Sequence, residues 1–130
     1  MNLLLDTHIV LWASSARSKL PADAVAILAN VDNTLWVSAV TFWEVAIKRS
    51  LNKPDFRIDV APLRAGLLRN GHFELPIDGT HALELARLPM YHTDPFDRLL
   101  VAQAKAEGMV LLTTDRELSV YGDNVQFVST

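Results

Sequence analysis

Four acidic residues stand where predicted helices and strands begin or end, and they are the first candidates for chemistry. Asp6 and Asp115 directly follow apolar runs of strand character, Leu3-Leu4-Leu5 and Val110 to Thr114. Glu44 and Asp97 are predicted to lie in the first turn of a helix. Because ligands of open parallel α/β sheets bind outside the carboxyl ends of the strands, we expect all four carboxylates at one edge of a sheet.

A cluster of carboxylates requires a cation. At ~4 Å two like charges repel by roughly 4 kcal/mol at an effective dielectric constant of 20, and a divalent ion relieves this repulsion. Oxygen ligands without sulfur favour Mg²⁺ or Mn²⁺. The chain has no cysteine and no HExxH motif, which disfavours zinc. Such a site suits phosphoryl hydrolysis, because the metal lowers the pKa of water and neutralises charge on the phosphate.

Each acid also has a simpler explanation. Asp6 could only cap a helix, and Asp115 could only begin a turn. Asp97 could only be a favourable charge at a helix N-terminus, worth about 0.3–1 kcal/mol. The interpretation as a site therefore depends on the joint placement of the four residues.

Glu44 has two alternatives of its own. It stands at capping-box spacing from Thr41, the predicted start of a helix that ends near Arg49. It could instead pair with Lys48, four residues later on the same helix face. The surrounding residues are almost all apolar, so we expect a partly buried carboxylate.

Strands and helices are predicted to alternate along the chain. The strands are expected at residues 3–5, 34–38, 72–77, 109–114 and 125–128. The helices are expected at residues 7–16, 21–30, 41–49, 60–69, 78–88 and 95–108, the last capped by Asp94 with Pro95 at its first position. This alternation indicates the α/β class, with a mostly parallel sheet of roughly five strands between layers of helices.

Length and composition indicate one globular domain over residues 1–130, because half the residues are hydrophobic and 21% are charged. The apolar start lacks a basic segment and contains Asp6 and His8, so we do not expect an export signal. No apolar run approaches the roughly 20 residues that span a bilayer. We expect no membrane association and a cytoplasmic location, which the absence of cysteine also fits.

Basic residues are concentrated in one part of a chain whose net charge is −3. Six of the twelve lie between residues 48 and 69, where they form either a solvated helix face or an edge that contacts phosphate. Lys48, Arg49 and Lys53 are the candidates for contacts with substrate phosphate groups. His92 could position a phosphate or leaving group, or be an ordinary loop histidine.

Four segments, in this order along the chain, resemble the PIN-domain ribonucleases, and the VapC toxins of bacterial toxin–antitoxin pairs most closely. They are Leu4–His8, Phe42–Lys48, His92–Ala104 and Leu111–Asp115. The resemblance covers nearly the full length, and its third segment is the most specific. It implies a PIN-like three-layer α/β/α sandwich and a Mg²⁺- or Mn²⁺-dependent endoribonuclease. It also implies a homodimer and a VapB-like antitoxin that blocks the site.

The same resemblance implies roles for the site residues. Asp6 and Asp97 would be the principal metal ligands, and Asp115 would complete the cluster directly or through water. Glu44 would hold a metal or orient the attacking water, and Thr114 would assist by hydrogen bonding.

Two other functions stay open at this point. A catalytically silent PIN-like module would bind RNA or protein without cutting, although four acids do not help a surface that faces phosphates. A phosphatase of the aspartyl-phosphate type would normally carry a second aspartate two residues after the first, where this chain has His8.

Overall fold

The computed structural model describes residues 1–54 and 56–129, which form five strands, six α-helices and two short 3₁₀ helices. The strands are β1 (Asn2–Leu5), β2 (Thr34–Ser38), β3 (Phe73–Leu75), β4 (Val110–Thr113) and β5 (Val125–Phe127). The α-helices are α1 (Thr7–Ser15), α2 (Ala22–Ala29), α3 (Ala39–Ser50), α4 (Val60–Arg69), α5 (Gly79–Arg87) and α6 (Pro95–Glu107). The 3₁₀ helices are Arg17–Lys19 and Arg116–Tyr121.

All five strands are parallel and lie in the order β3-β2-β1-β4-β5, so β1 is central. Its side chains alternate between two hydrophobic clusters. Leu3 and Leu5 pack with Ile9 of α1 on one face of the sheet, and Leu4 packs with Leu100 of α6 on the other. The predicted α/β/α sandwich around a parallel, five-stranded sheet is confirmed.

The strand order reverses between β1 and β4. The chain moves outward from β1 through β2 to β3, and then returns to place β4 on the opposite side of β1. At such a switch point the connections leave in opposite directions and open a crevice at the carboxyl ends of the two strands. Asp6 follows β1 here, and Asp115 follows β4.

The start of α3 differs from the prediction. The helix begins at Ala39 because β2 runs directly into it and Ser38 provides the cap, its hydroxyl accepting the Val40 N–H at 2.9 Å. Thr41 does not cap the helix, since its buried hydroxyl bonds that of Thr7 at 3.0 Å. The capping-box interpretation is wrong, and Glu44 lies in the second helical turn instead of the first.

The start of α6 confirms the prediction. Asp94 Oδ1 accepts the N–H groups of Phe96 at 2.8 Å and Asp97 at 3.2 Å, and Pro95 occupies the first helical position. The helix ends at Gly108, whose φ of 66° is a conformation that glycine adopts without strain. This cap fixes Asp97 in the first turn, at the carboxyl edge of the sheet.

A buried polar network ties α6 to its neighbours. The Ser38 hydroxyl donates to Gln103 Oε1 at 2.5 Å, and Gln103 Nε2 donates to His81 Nδ1 at 3.3 Å. His81 Nδ1 also accepts the Asp78 N–H at 3.1 Å, so its Nε2 carries the hydrogen donated to Glu107 at 2.8 Å. Ser38, Gln103 and His81 are fully buried. Satisfied networks of this kind fix how helices pack, here the helices that carry Glu44 and Asp97.

Candidate active site

Asp6 lies at the bottom of the switch-point crevice and is 2% exposed. Its Oδ1 accepts the His8 N–H at 3.1 Å, so the residue does cap α1. Its Oδ2 accepts the Thr113 hydroxyl at 2.5 Å. Burial raises the pKa of Asp6, although these hydrogen bonds oppose the effect. Capping a helix and belonging to an acid cluster are therefore compatible at this position.

Thr113 is a site residue that the sequence did not indicate. Its fully buried hydroxyl donates to Asp6 and accepts the Asp115 N–H at 3.0 Å, so it links two of the acids. The expected helper, Thr114, instead lines the cleft. Only the register could have distinguished the two, because the pairing of Leu5 with Leu112 places Thr113 beside Asp6.

Asp97 is electrostatically perturbed by its burial and by the other acids of the site. Its side chain is 20% exposed. Burial, together with the negative charges of Asp6, Asp94 and Glu44, raises its pKa to about 7, against a smaller opposing effect of His92. Such a carboxyl group holds a proton near neutrality unless a cation replaces it.

Glu44 reaches the same cluster from α3. Its side chain is only 8% exposed, and its Oε2 pairs with Lys48 Nζ at 2.9 Å, which is the i,i+4 alternative expected from the sequence. Its charge contributes to the raised pKa of both Asp6 and Asp97, so the three carboxyl groups are electrostatically linked. Within residues 1–54 and 56–129, its Oε1 is one of two buried side-chain atoms without a hydrogen-bond partner.

Asp115 completes the group and is held on both sides. Its Oδ1 accepts the Glu117 N–H at 3.0 Å, which caps the 3₁₀ helix, and its Oδ2 lies 3.2 Å from His92 Nε2. His92 Nδ1 accepts the Asp94 N–H at 3.2 Å, so the neutral ring carries its hydrogen on Nε2. His92 is therefore a donor to Asp115, and this tautomer has no free nitrogen for a metal.

A cleft of about 270 Å³ opens onto these groups. Its lining residues are Asp6, His8, Trp12, Asp97, Thr114 and Asp115. A larger groove of about 650 Å³ lies between the C-terminal part of α1 and helix α4 and contains none of the four acids. The smaller cleft, which three of the acids line, is therefore the candidate active site.

The cluster fits a divalent cation with oxygen ligands. One oxygen each of Asp97 and Asp115 lies within 4.8 Å of the other and of His92 Nε2. The raised pKa values of Asp6 and Asp97, caused first by burial, and the unpartnered Glu44 Oε1 indicate buried carboxyl groups whose charged forms the protein alone does not fully stabilise. Carboxylate oxygens in this number suit Mg²⁺ or Mn²⁺. Asp78, His81 and Glu107 also converge, but both ring nitrogens of His81 are already hydrogen-bonded.

The basic segment is partly neutralised by its own neighbours. Lys48 pairs with Glu44, Arg49 Nε bonds Asp59 at 2.9 Å, and a further arginine in this segment, Arg64, pairs with Glu74 at 2.5 Å. Lys53 is exposed. A contact of Lys48, Arg49 or Lys53 with RNA stays a prediction.

Fold and site together define a class of protein, a parallel α/β/α domain with a carboxylate cleft at its switch point. The PIN domain model matches residues 3–124, and the chain belongs to the PIN domain family. Comparison with curated proteins by sequence gives no match. None of the helices that the structure describes is long and apolar enough to cross a bilayer.

Solved structures with this fold include three toxin–antitoxin complexes. A chain of VapBC2 from Rickettsia felis, bound to a promoter DNA fragment, has 16% identity and a TM-score of 0.72, over 100% of this chain and 99% of that one. VapBC-1 from nontypeable Haemophilus influenzae gives 20% identity and a TM-score of 0.62 over 98% of both chains. VapBC-5 from Mycobacterium tuberculosis has 17% identity and a TM-score of 0.63, over 99% of this chain and 98% of that one. At these identities the similarity shows the fold alone.

Proposed function

We propose that this chain is a metal-dependent endoribonuclease that hydrolyses RNA phosphodiester bonds, and that it is the toxin of a VapBC-type pair. One observation carries the proposal. Asp6, Asp97 and Asp115 line one cleft, beside a buried Glu44 that retains a free oxygen. Membership of the PIN family and the similarity to VapBC structures support the same conclusion.

The proposed roles follow from the contacts. Asp6, Asp97 and Asp115 would hold Mg²⁺ or Mn²⁺, with Thr113 fixing the orientation of Asp6. The bound ion supplies acidified water and neutralises charge on the phosphate. Glu44 Oε1 is buried and unpartnered, and the charge of Glu44 acts on Asp6 and Asp97, so this oxygen would accept a hydrogen bond, and then the proton, from the attacking water.

His92 and Thr114 have auxiliary roles in this proposal. The Nε2 hydrogen of His92 already faces Asp115, Asp97 and Glu117, at 3.2, 3.9 and 3.5 Å. It would remain a donor and keep Asp115 aligned, or turn toward an oxygen of the phosphate. Thr114 lines the cleft and would contact the substrate there.

The partners of the proposal are RNA, a VapB-like antitoxin and a second copy of the chain. Cleavage of cellular RNA would take place in the cytoplasm and arrest growth or translation, and the antitoxin would cover the acidic cleft. The similarity to VapBC structures supports a protein partner of this type. The reading frame beside the gene tests this directly, since a toxin of this type is expected to have a small neighbouring partner.

The activity test compares purified protein with single-stranded RNA in Mg²⁺, in Mn²⁺ and in excess chelator. We expect cleavage with either metal and none with chelator. Asp97→Asn should lose cleavage, while Asp123→Asn, a matched change at an exposed aspartate before β5, should keep it. Cutting in chelator, or full activity of Asp97→Asn, would exclude the proposed mechanism. Intact RNA under every condition, together with Mg²⁺ binding, would favour the silent module.

A further inference from the structure

Lys48 contributes a positive charge to the acid cluster. Its ammonium nitrogen lies 2.9 Å from Glu44 Oε2, and Glu44 is 8% exposed at the side chain while Lys48 is 39% exposed. Among the described residues, it is the only lysine or arginine that forms an ion pair with one of the four acids, since the ion pairs of Asp97 and Asp115 are with His92. The lysine therefore approaches from solvent, and its charged end reaches a buried carboxylate.

The two oxygens of Glu44 differ in their surroundings. Oε2 is occupied by Lys48, and Oε1 is buried without a partner. The charge of Glu44 contributes to the raised pKa of both Asp6 and Asp97, so this buried carboxylate belongs electrostatically to the cluster. The ammonium group of Lys48 therefore already occupies one side of the Glu44 carboxylate.

We propose that Lys48 is a built-in counter-ion that limits this site to a single divalent cation. This inference rests on the proposed metal-dependent function and concerns the number of ions. Pairs of catalytic metals lie about 3.5–4 Å apart and share carboxylates between them. Asp6, Asp97 and Asp115, which line one cleft, would supply the ligands for one ion. A second ion would need Glu44, where it would meet the ammonium and displace it.

The charges agree with this arrangement. Four carboxylates carry a formal charge of −4, and Lys48 reduces it to −3. With one dication bound, the cluster keeps a slight negative charge, which favours retention of that cation. With two dications bound, the cluster would be positive as long as the ammonium stays. Without the lysine, two dications neutralise the four carboxylates. Lys48 thus acts through Glu44 as a positioning residue that determines metal stoichiometry.

The test is a titration of the metal-free protein with Mn²⁺ alone, followed by calorimetry and by electron paramagnetic resonance. Wild type should bind one ion per chain with an uncoupled Mn²⁺ spectrum. Lys48→Met should bind two, with the spectrum of a spin-coupled pair. Lys48→Arg keeps the positive charge and should bind one ion, as wild type does. Lys53→Met removes the same charge from an exposed position nearby and should also bind one.

A double variant controls for indirect effects. Lys48→Met combined with Glu44→Gln should return to a single ion, because the second ion depends on the Glu44 carboxylate. Thermal unfolding of each metal-free variant identifies those that are folded. Two ions in wild type, or a folded Lys48→Met that still binds one, would overturn the counter-ion inference.

The outcomes separate this inference from the nuclease proposal. If wild type binds no Mn²⁺, both are wrong. If it binds one ion and Lys48→Met binds two, but neither cuts RNA, the counter-ion inference stands and the nuclease is refuted. If Lys48→Met instead keeps one ion and shows a flatter salt dependence of RNA binding, Lys48 contacts RNA and the counter-ion inference is refuted.

Discussion

Replacing Asp97 with asparagine should stabilise the metal-free protein near pH 8 while abolishing metal-dependent activity. The pKa of Asp97 is raised from 3.8 to about 7, chiefly by burial and then by the charges of Asp6, Asp94 and Glu44. Above pH 7 the native state must therefore contain a carboxylate that its surroundings disfavour. Asparagine has nearly the same shape and no charge, so it removes this cost.

The size of the effect follows from the shift. About 3 pKa units at 1.36 kcal/mol each give an upper limit of about 4 kcal/mol. The side chain is 20% exposed, and the loss of an acid from a helix N-terminus costs about 0.3–1 kcal/mol. A net gain of about 2–3 kcal/mol at pH 8 is the reasonable expectation.

The pH dependence has a definite sign. Between pH 4 and pH 7 the native Asp97 retains a proton that the unfolded chain has released, so the free energy of unfolding decreases as the pH rises through this window. The free-energy cost of the Asp97 charge in the native state is complete above both the native and the unfolded pKa of Asp97, and it is absent below both. Asp97→Asn should therefore differ little from wild type near pH 4 and most near pH 8. The pKa of Asp6 is also raised by burial, so a slope of the same sign remains in the variant.

Urea unfolding in excess chelator at several pH values measures this directly. The matched control is Asp123→Asn, an exposed aspartate at the opposite edge of the sheet, which should leave the wild-type curve unchanged. Equal pH slopes in wild type and Asp97→Asn, or a variant that is less stable at pH 8, would refute the electrostatic account of the cleft.

Three further predictions concern the same cleft and its surroundings. Mg²⁺ at a hundredfold excess over its Kd should stabilise wild type by ~2.7 kcal/mol and leave Asp97→Asn nearly unchanged, as thermal unfolding will show. Thr113→Val should lower the free energy of unfolding by about 1–3 kcal/mol in urea titrations, because it leaves Asp6 short of a donor, whereas Thr114→Val should not. Arg49→Ala with Lys53→Ala should flatten the salt dependence of RNA binding by a slope of about 1.4, measured by fluorescence anisotropy, without changing Mn²⁺ affinity.

Sequence was sufficient wherever the determining interactions are local. Asp94, Pro95 and Asp97 are three residues of one helical turn, so their types alone predicted the cap and the position of the acid. The apolar runs before Asp6 and Asp115 likewise indicated buried parallel strands, because side chains covered on both faces need no polar alternation. These local signals were enough to predict that the acids lie at one edge of the sheet.

Long-range register explains what was missed. Thr113 and Thr114 are adjacent, and only the alignment of β4 with β1, separated by more than a hundred residues, decides which one bonds Asp6. The early start of α3 has a related cause. Ser38 caps the helix and also bonds Gln103 of α6, so two elements distant in sequence favour it over Thr41. The local sequence pattern contains neither piece of information.

For Glu44 the sequence left two explanations open, and the structure shows the surroundings of each of its two oxygens. The catalytic role and the pair with Lys48 were competing explanations. The pair is present, yet it engages one oxygen and leaves the other buried and free beside Asp6 and Asp97. The ion pair therefore does not exclude the proposed catalytic role, which would use the other oxygen.

The central claim is that acids far apart in sequence form one cation site in the cleft between β1 and β4. A crystal of the protein soaked in Mn²⁺, with data collected at the manganese absorption edge, tests it most directly. We expect an anomalous peak in contact with carboxylate oxygens of Asp6, Asp97 and Asp115, and its loss in Asp97→Asn. A peak elsewhere on the molecule, or an empty cleft at saturating Mn²⁺, would contradict the claim.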